Sequence, residues 1–127
     1  MKLSISNIAW ENNDDEKVYG MMEKYGFLGL EIAPTKVFGD RPYENCDKVA
    51  HWGNELKRRY GLSISSMQSI WYGMNERIFG SFEERRVLIE YTKKAIDFAK
   101  VLNCNNLVLG CPKNRNIPEN GDSEIAI

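Results

Sequence analysis

The sequence predicts an α/β fold with a parallel sheet. Three observations carry that prediction. Four short apolar runs alternate with three helical patterns, and each helix returns to the next run through only one or two residues, the rhythm of βαβ crossovers. A third is a weak internal echo: Lys24-Tyr25-Gly26-Phe27-Leu28 and Arg59-Tyr60-Gly61-Leu62-Ser63 occupy matching places in successive units.

The first run is Lys2–Ser6. A helix follows it, because Asn13, Asp14 and Asp15 supply N-cap chemistry and Val18, Met21, Met22 and Tyr25 fall at i, i+3, i+4, i+7. Gly26 ends it in the left-handed position that a Cβ disfavours. The second run, residues 28–33, stops at Pro34, which has no N–H for a ladder. A loop holding Gly39 and Pro42 leads to a second helix over about Asn45–Tyr60, with Val49, Trp52, Leu56 and Tyr60 on its buried stripe and Gly61 closing it. The third run is residues 62–67. Ser81 and Glu84 form a capping-box pair ahead of the longest helix, whose stripe is Leu88, Tyr91, Ala95, Ala99 and Leu102. The fourth run, residues 106–110, ends at Cys111-Pro112.

With 127 residues the chain fits one domain, and neither linker nor low-complexity tract interrupts it. Lys+Arg is 17 against Asp+Glu 18, a net charge of −1, so there is no electrostatic footprint for nucleic acid or an anionic membrane. No run approaches the about 18 apolar residues that span a bilayer, and the start lacks the apolar stretch of a secretory signal. A soluble, cytoplasmic protein is expected. Cys46, Cys104 and Cys111 are an odd set without a CxxC pair, and His51 is the single histidine, so reduced thiols are expected rather than disulfides or a self-contained zinc site. The last residues read as a loop and then a helix start capped by Asp122 or Ser123. On that reading the sequence is the front part of something larger, because parallel strands are normally covered on both faces.

Four pieces after the runs carry a resemblance: Ser4-Ile5-Ser6-Asn7-Ile8-Ala9-Trp10, Gly29-Leu30-Glu31-Ile32-Ala33-Pro34-Thr35-Lys36, Ser66-Met67-Gln68-Ser69-Ile70-Trp71-Tyr72-Gly73 and Leu109-Gly110-Cys111-Pro112-Lys113-Asn114-Arg115. In order and spacing the chain resembles the sugar phosphate isomerase/epimerase family of xylose isomerase-like TIM barrels. A complete (β/α)8 barrel takes about 250 residues, so the resemblance implies the N-terminal half of one. Residues 1–127 would be a single partial domain, with four parallel strands in sequential order, three helices, and strands 5–8 absent. An independent doubly wound sheet is the competing fold, distinguished by a reversal in strand order.

The resemblance further implies a sugar or sugar-phosphate isomerase or epimerase. Its divalent metal (Mn, Mg, Zn or Co) is held in the family by Glu, Asp and His side chains of the later strands. This chain alone is therefore expected to bind no metal and to be inactive. The alternative is a non-catalytic half barrel that persists by association, as a homo-oligomer or with a complementing half. Endonuclease-IV-like relatives carry histidines where this chain has Gln68 to Trp71 and Cys111-Pro112, which argues against a DNA-repair role.

Strand ends are where such a barrel places its active site, and the candidate substrate-binding residues lie there. Glu31 could hydrogen-bond sugar hydroxyls, or be an interior carboxylate paired with a neighbouring cation. Asn7 and Gln68 could read hydroxyls or satisfy loop backbone. Trp10 and Trp71 could pack on a sugar ring or anchor their loops. Lys113 and Arg115 could grip a phosphate or carboxylate, or be solvated loop charges. No catalytic residue is assigned. His51 is expected on the outer helix surface, Cys111 has no evident base to activate it, and Met21-Met22 are expected in the core. Gly73 and Gly80 bracket an expected mobile loop.

Overall fold

In the computed structural model, which describes residues 3–119, apolar alternation and helix caps decide the elements in turn. Strand β1 (Ser4–Ser6) leads through short 3-10 turns to helix α1 (Asp15–Lys24), and β2 (Gly29–Ile32) follows. A short helix α2 (Pro34–Phe38) precedes α3 (Cys46–Tyr60), β3 (Ser63–Met67) and the long α4 (Phe82–Val101). A 3-10 turn at Pro112–Arg115 comes last. The helix start expected after Asp122 lies outside the described residues.

The sheet is parallel with order β1-β2-β3. Chain neighbours are sheet neighbours, as in an arc of a barrel, and the reversal of a doubly wound sheet is not seen among the described strands. Four strands were expected, and the described residues form three. The fourth run contributes one parallel bridge, Met67 to Leu107, with Met67 N–H donating to Asn106 O and Val108 N–H to Met67 O. Its ladder stops because β3 has nothing further to offer: Gln68 N–H turns back to Ile32 O, and Ser69, at φ +53°, carries the chain away.

Each strand alternates. Leu30, Ile32, Ile64 and Met67 are buried with half-buried Ile5 beside them, packed with Met22, Val49, Leu56, Ala95 and Phe98 of the helices. Ser4, Ser63 and Ser65 face the other way and are exposed, so one face of this parallel sheet is polar and open. Register slips once, between Leu30 and Glu31, where Ser65 is an extra residue in β3. Gly29 lets the rows close up there. An added Cβ would stand 2.9 Å from Ser4 Cβ and 3.0 Å from Ser65 Cβ, while the two serine hydroxyls share a 2.6 Å hydrogen bond across it.

Helix ends follow their caps. Gly26 and Gly61 take φ of +73° and +69° at corresponding ends of α1 and α3, and Ser81 with Glu84 completes the capping box of α4. The α1 face is rotated from expectation. Tyr19 and Met22 are buried, whereas Met21 is 49% and Tyr25 64% exposed. Tyr25 caps the helix rather than belonging to it, so it does not share the stripe. The stretch expected as loop after Pro34 instead forms α2: a proline that cannot continue a strand is favourable at a helix's first turn. Beside it Tyr43 is buried, its hydroxyl donating to Ile70 O at 2.9 Å, and Phe38, Tyr43 and Phe98 meet edge to face. No helix among the described residues is long and apolar enough to cross a membrane.

Candidate functional site at the strand ends

A polar row crosses the open face where the three strands end. Ser6 of β1 pairs in register with Glu31 of β2, and Gln68 follows β3. The Gln68 amide nitrogen donates to Ser6 Oγ at 2.7 Å and to Glu31 Oε1 at 3.1 Å. Ser69 Oγ contacts Gln68 Oε1 at 3.4 Å. Glu31 is half-buried, and its described partner is this neutral amide rather than a lysine or arginine. A carboxylate so held keeps acceptor capacity for a hydroxyl.

Asn7 and Trp10 are used differently. Asn7 is 1% exposed, and its Oδ1 accepts the Ala33 N–H at 2.9 Å, tying the exit of β1 to that of β2. Lys36 of α2 donates its ammonium to the backbone carbonyls of Asn7 and Trp10 and lies 5.9 Å from the Trp10 ring centre. The Trp10 indole N–H donates to Asp15 Oδ1 at 2.7 Å. Both residues therefore brace the loops that frame the site.

Beside the row lies a cleft of about 500 Å³, lined by Ser69, Trp71, Tyr72, Asn75, Cys111 and Lys113 among others. Trp71 is its floor: 6% exposed, with the indole N–H donating to Thr92 Oγ1 of α4 at 2.8 Å. Tyr72, one residue on and 67% exposed, is the aromatic at the rim. Lys113 donates to Asn75 Oδ1 at 2.7 Å, bridging the two loops, and Arg115 is exposed at the end of the last turn. Ser69 belongs to both row and cleft and joins them. The expected mobile loop 73–80 is tied down at its middle by Asn114, whose amide donates to Met74 O and Glu76 O.

His51 is exposed on α3, and the three cysteines are free thiols. Burial pushes the Cys104 thiol up from its ordinary value. Among the described residues no group of three His, Cys, Asp or Glu side chains could hold a metal ion. At the strand ends Glu31 is the one such donor in the row, so the residues described do not by themselves fit a divalent ion.

Sequential parallel strands, covering helices on one face and a polar row at the strand ends define the chain as an α/β protein of barrel-arc type. The solved structure of the 3-keto-D-glucoside 4-epimerase YcjR from E. coli, a TIM-barrel enzyme, superposes on it with a TM-score of 0.61. The match covers 99% of this chain at 17% sequence identity, and at that identity the likeness is one of fold. The chain spans about half of that structure, 48% of its length. No protein-family model matches the chain, and no curated protein matches it.

Proposed function

We propose that this chain is the N-terminal side of a sugar or sugar-phosphate isomerase or epimerase. The observation that carries the reading is the Ser6–Glu31–Gln68 row opening into the Tyr72–Lys113 cleft at the carboxyl ends of parallel strands. Fold likeness to a sugar epimerase supports it. Glu31 would accept a sugar hydroxyl, Gln68 would hold that carboxylate in place, Tyr72 would cover an apolar ring face, and Lys113 would meet an anionic substituent. Trp71 would support this surface from beneath, Asn7 and Trp10 would frame it, and Arg115 would add positive charge at its edge.

Proton abstraction beside a carbonyl or a hydride shift, the chemistry of this class, uses a divalent ion to polarise neighbouring oxygens. Its ligands would come from the rest of a barrel, and this chain alone would bind sugar without converting it. Amide NMR with methyl β-D-glucoside and with a hexose phosphate tests the reading. Saturable shifts at Glu31, Gln68, Ser69 and Tyr72 are expected, with no turnover in a coupled assay with or without Mn²⁺. Absence of any shift at these residues would overturn the binding site, and metal-dependent interconversion would overturn inactivity of the half.

The open polar face of a parallel sheet favours a second reading, in which the chain acts by association with a complementing half or a second copy. Sedimentation of a well-folded monomer at micromolar concentration would count against it.

A further inference from the structure

We infer that Asn114 is the positioning residue of the strand-end cleft, latching the loop between β3 and α4 so that Tyr72 and Asn75 stand on a fixed wall. As a statement about ligand binding this rests on the reading of the cleft as a sugar site; as a statement about the loop it does not. Asn114 lies on the last 3-10 turn, 3% exposed. Its one NH₂ group donates to two carbonyls of the loop, Met74 O at 3.0 Å and Glu76 O at 2.8 Å. Its own backbone carbonyl accepts the Ile78 N–H at 2.9 Å. Next to it, Lys113 bridges to Asn75.

A primary amide is suited to this place. It carries two donors on one planar nitrogen, which neither aspartate nor alanine offers. Carbonyls in a part-buried setting lose free energy when left without donors, so the latch resists opening. The far end of the loop is held separately, with Arg85 donating to Gly80 O at 2.6 Å and α4 capped by Ser81. The glycines that would let a flap swing, Gly73 and Gly80, thus bracket a segment pinned at its centre. A wall fixed before the ligand arrives spares the ordering cost that a closing flap would levy on affinity.

Arg77 provides the test. Its side chain is 61% exposed, yet the peptide units on either side of it are engaged, Glu76 O with the Asn114 amide and Ile78 N–H with the Asn114 carbonyl. Trypsin must open the loop to cut there. In the 127-residue chain, N114A and N114D should be cleaved after Arg77 at least tenfold faster than the parent, while cleavage within α3 and α4 is unchanged. The Tyr72 and Asn75 amides should also need several-fold more methyl β-D-glucoside to shift in N114D. Cleavage of a folded N114D at the parent rate would overturn the latch. Should both variants unfold, hydrogen exchange on the parent decides. Ile78 N–H protected like the β3 amides supports the latch, and exchange at the rate of an unstructured peptide overturns it. A parent chain that ignores the glucoside, with the trypsin contrast intact, defeats the sugar reading and leaves the latch standing.

Discussion

Replacing Gly29 with alanine probes the open face where it is tightest. The new methyl carbon would lie 2.9 Å from Ser4 Cβ, 3.0 Å from Ser4 Oγ and 3.0 Å from Ser65 Cβ, whereas carbon atoms rest about 3.5–4.0 Å apart. It has to part the Ser4–Ser65 hydroxyl pair, now 2.6 Å apart. Overpacking of this kind costs about 1–3 kcal/mol. Loss of an exposed hydrogen bond adds about 0.5 kcal/mol. Against these, alanine is favoured over glycine within a strand by about 0.5–1 kcal/mol. The clash wins, because three contacts are violated at once and two belong to β-carbons fixed to the backbone. A net loss of about 1–2 kcal/mol follows, or about 3–8 °C in Tm for a chain of this size. Urea unfolding followed by far-UV circular dichroism reads it. Adding Ser4→Gly removes two of the three contacts and should restore part of the loss. A Gly29→Ala chain as stable as the parent would refute the reasoning.

Further outcomes follow from the cap and the cleft. Ser81→Ala should cost about 1 kcal/mol of stability through the loss of the α4 cap, measured by the same unfolding curves. The Ser81 backbone N–H, with Arg77 assisting, holds the Glu84 carboxyl below its ordinary value of 4.5. A carboxyl lowered on folding contributes stability that is full above its unfolded value and fades as pH falls through its folded value. Stability of the parent should therefore decline more steeply below about pH 4.5 than that of Glu84→Gln, and parallel curves would dispose of the assignment. Trp71→Phe, which loses the bond to Thr92, should lower stability by about 1 kcal/mol and leave glucoside shifts at Tyr72 in place. Tyr72→Ala should do the reverse, and a stability loss confined to the Tyr72 variant would contradict the division between floor and rim.

Much of the fold was legible because its signals are local. Ser81 and Glu84 stand three apart, Gly26 and Gly61 close their helices, and Val49 and Leu56 repeat at helical spacing. Helix α2 was hidden because Pro34 ends one element and begins the next, and Tyr43 was hidden because a buried side chain on an irregular segment has no period to betray it. The fourth run looked like a strand by composition, yet pairing depends on what its neighbour presents, and β3 has turned away at Ser69. At the site, Glu31 and Gln68 fell at strand ends as expected. Which of Trp71 and Tyr72 would point outward was not legible, since adjacent loop residues carry no phase. Asn114 gave no signal either, because its partners lie 38 and 40 residues away.

The slip of register at Ser65 sets the parity of the residues that follow it. Along an unbroken strand Ile64, Ser66 and Gln68 would all project from the same side. With one extra residue the count is reset, so that Ile64 and Met67 both look toward the helices and Gln68 emerges beside Ser6 and Glu31. Ironing the bulge out with Ser65 kept would exchange inside for outside beyond that point, driving a carboxamide into the oily layer and a thioether into water, whereas deleting Ser65 would leave Ser66, Met67 and Gln68 on the sides they already occupy. The bulge that absorbs one backbone residue, rather than any side chain, thereby keeps this chemistry on the surface.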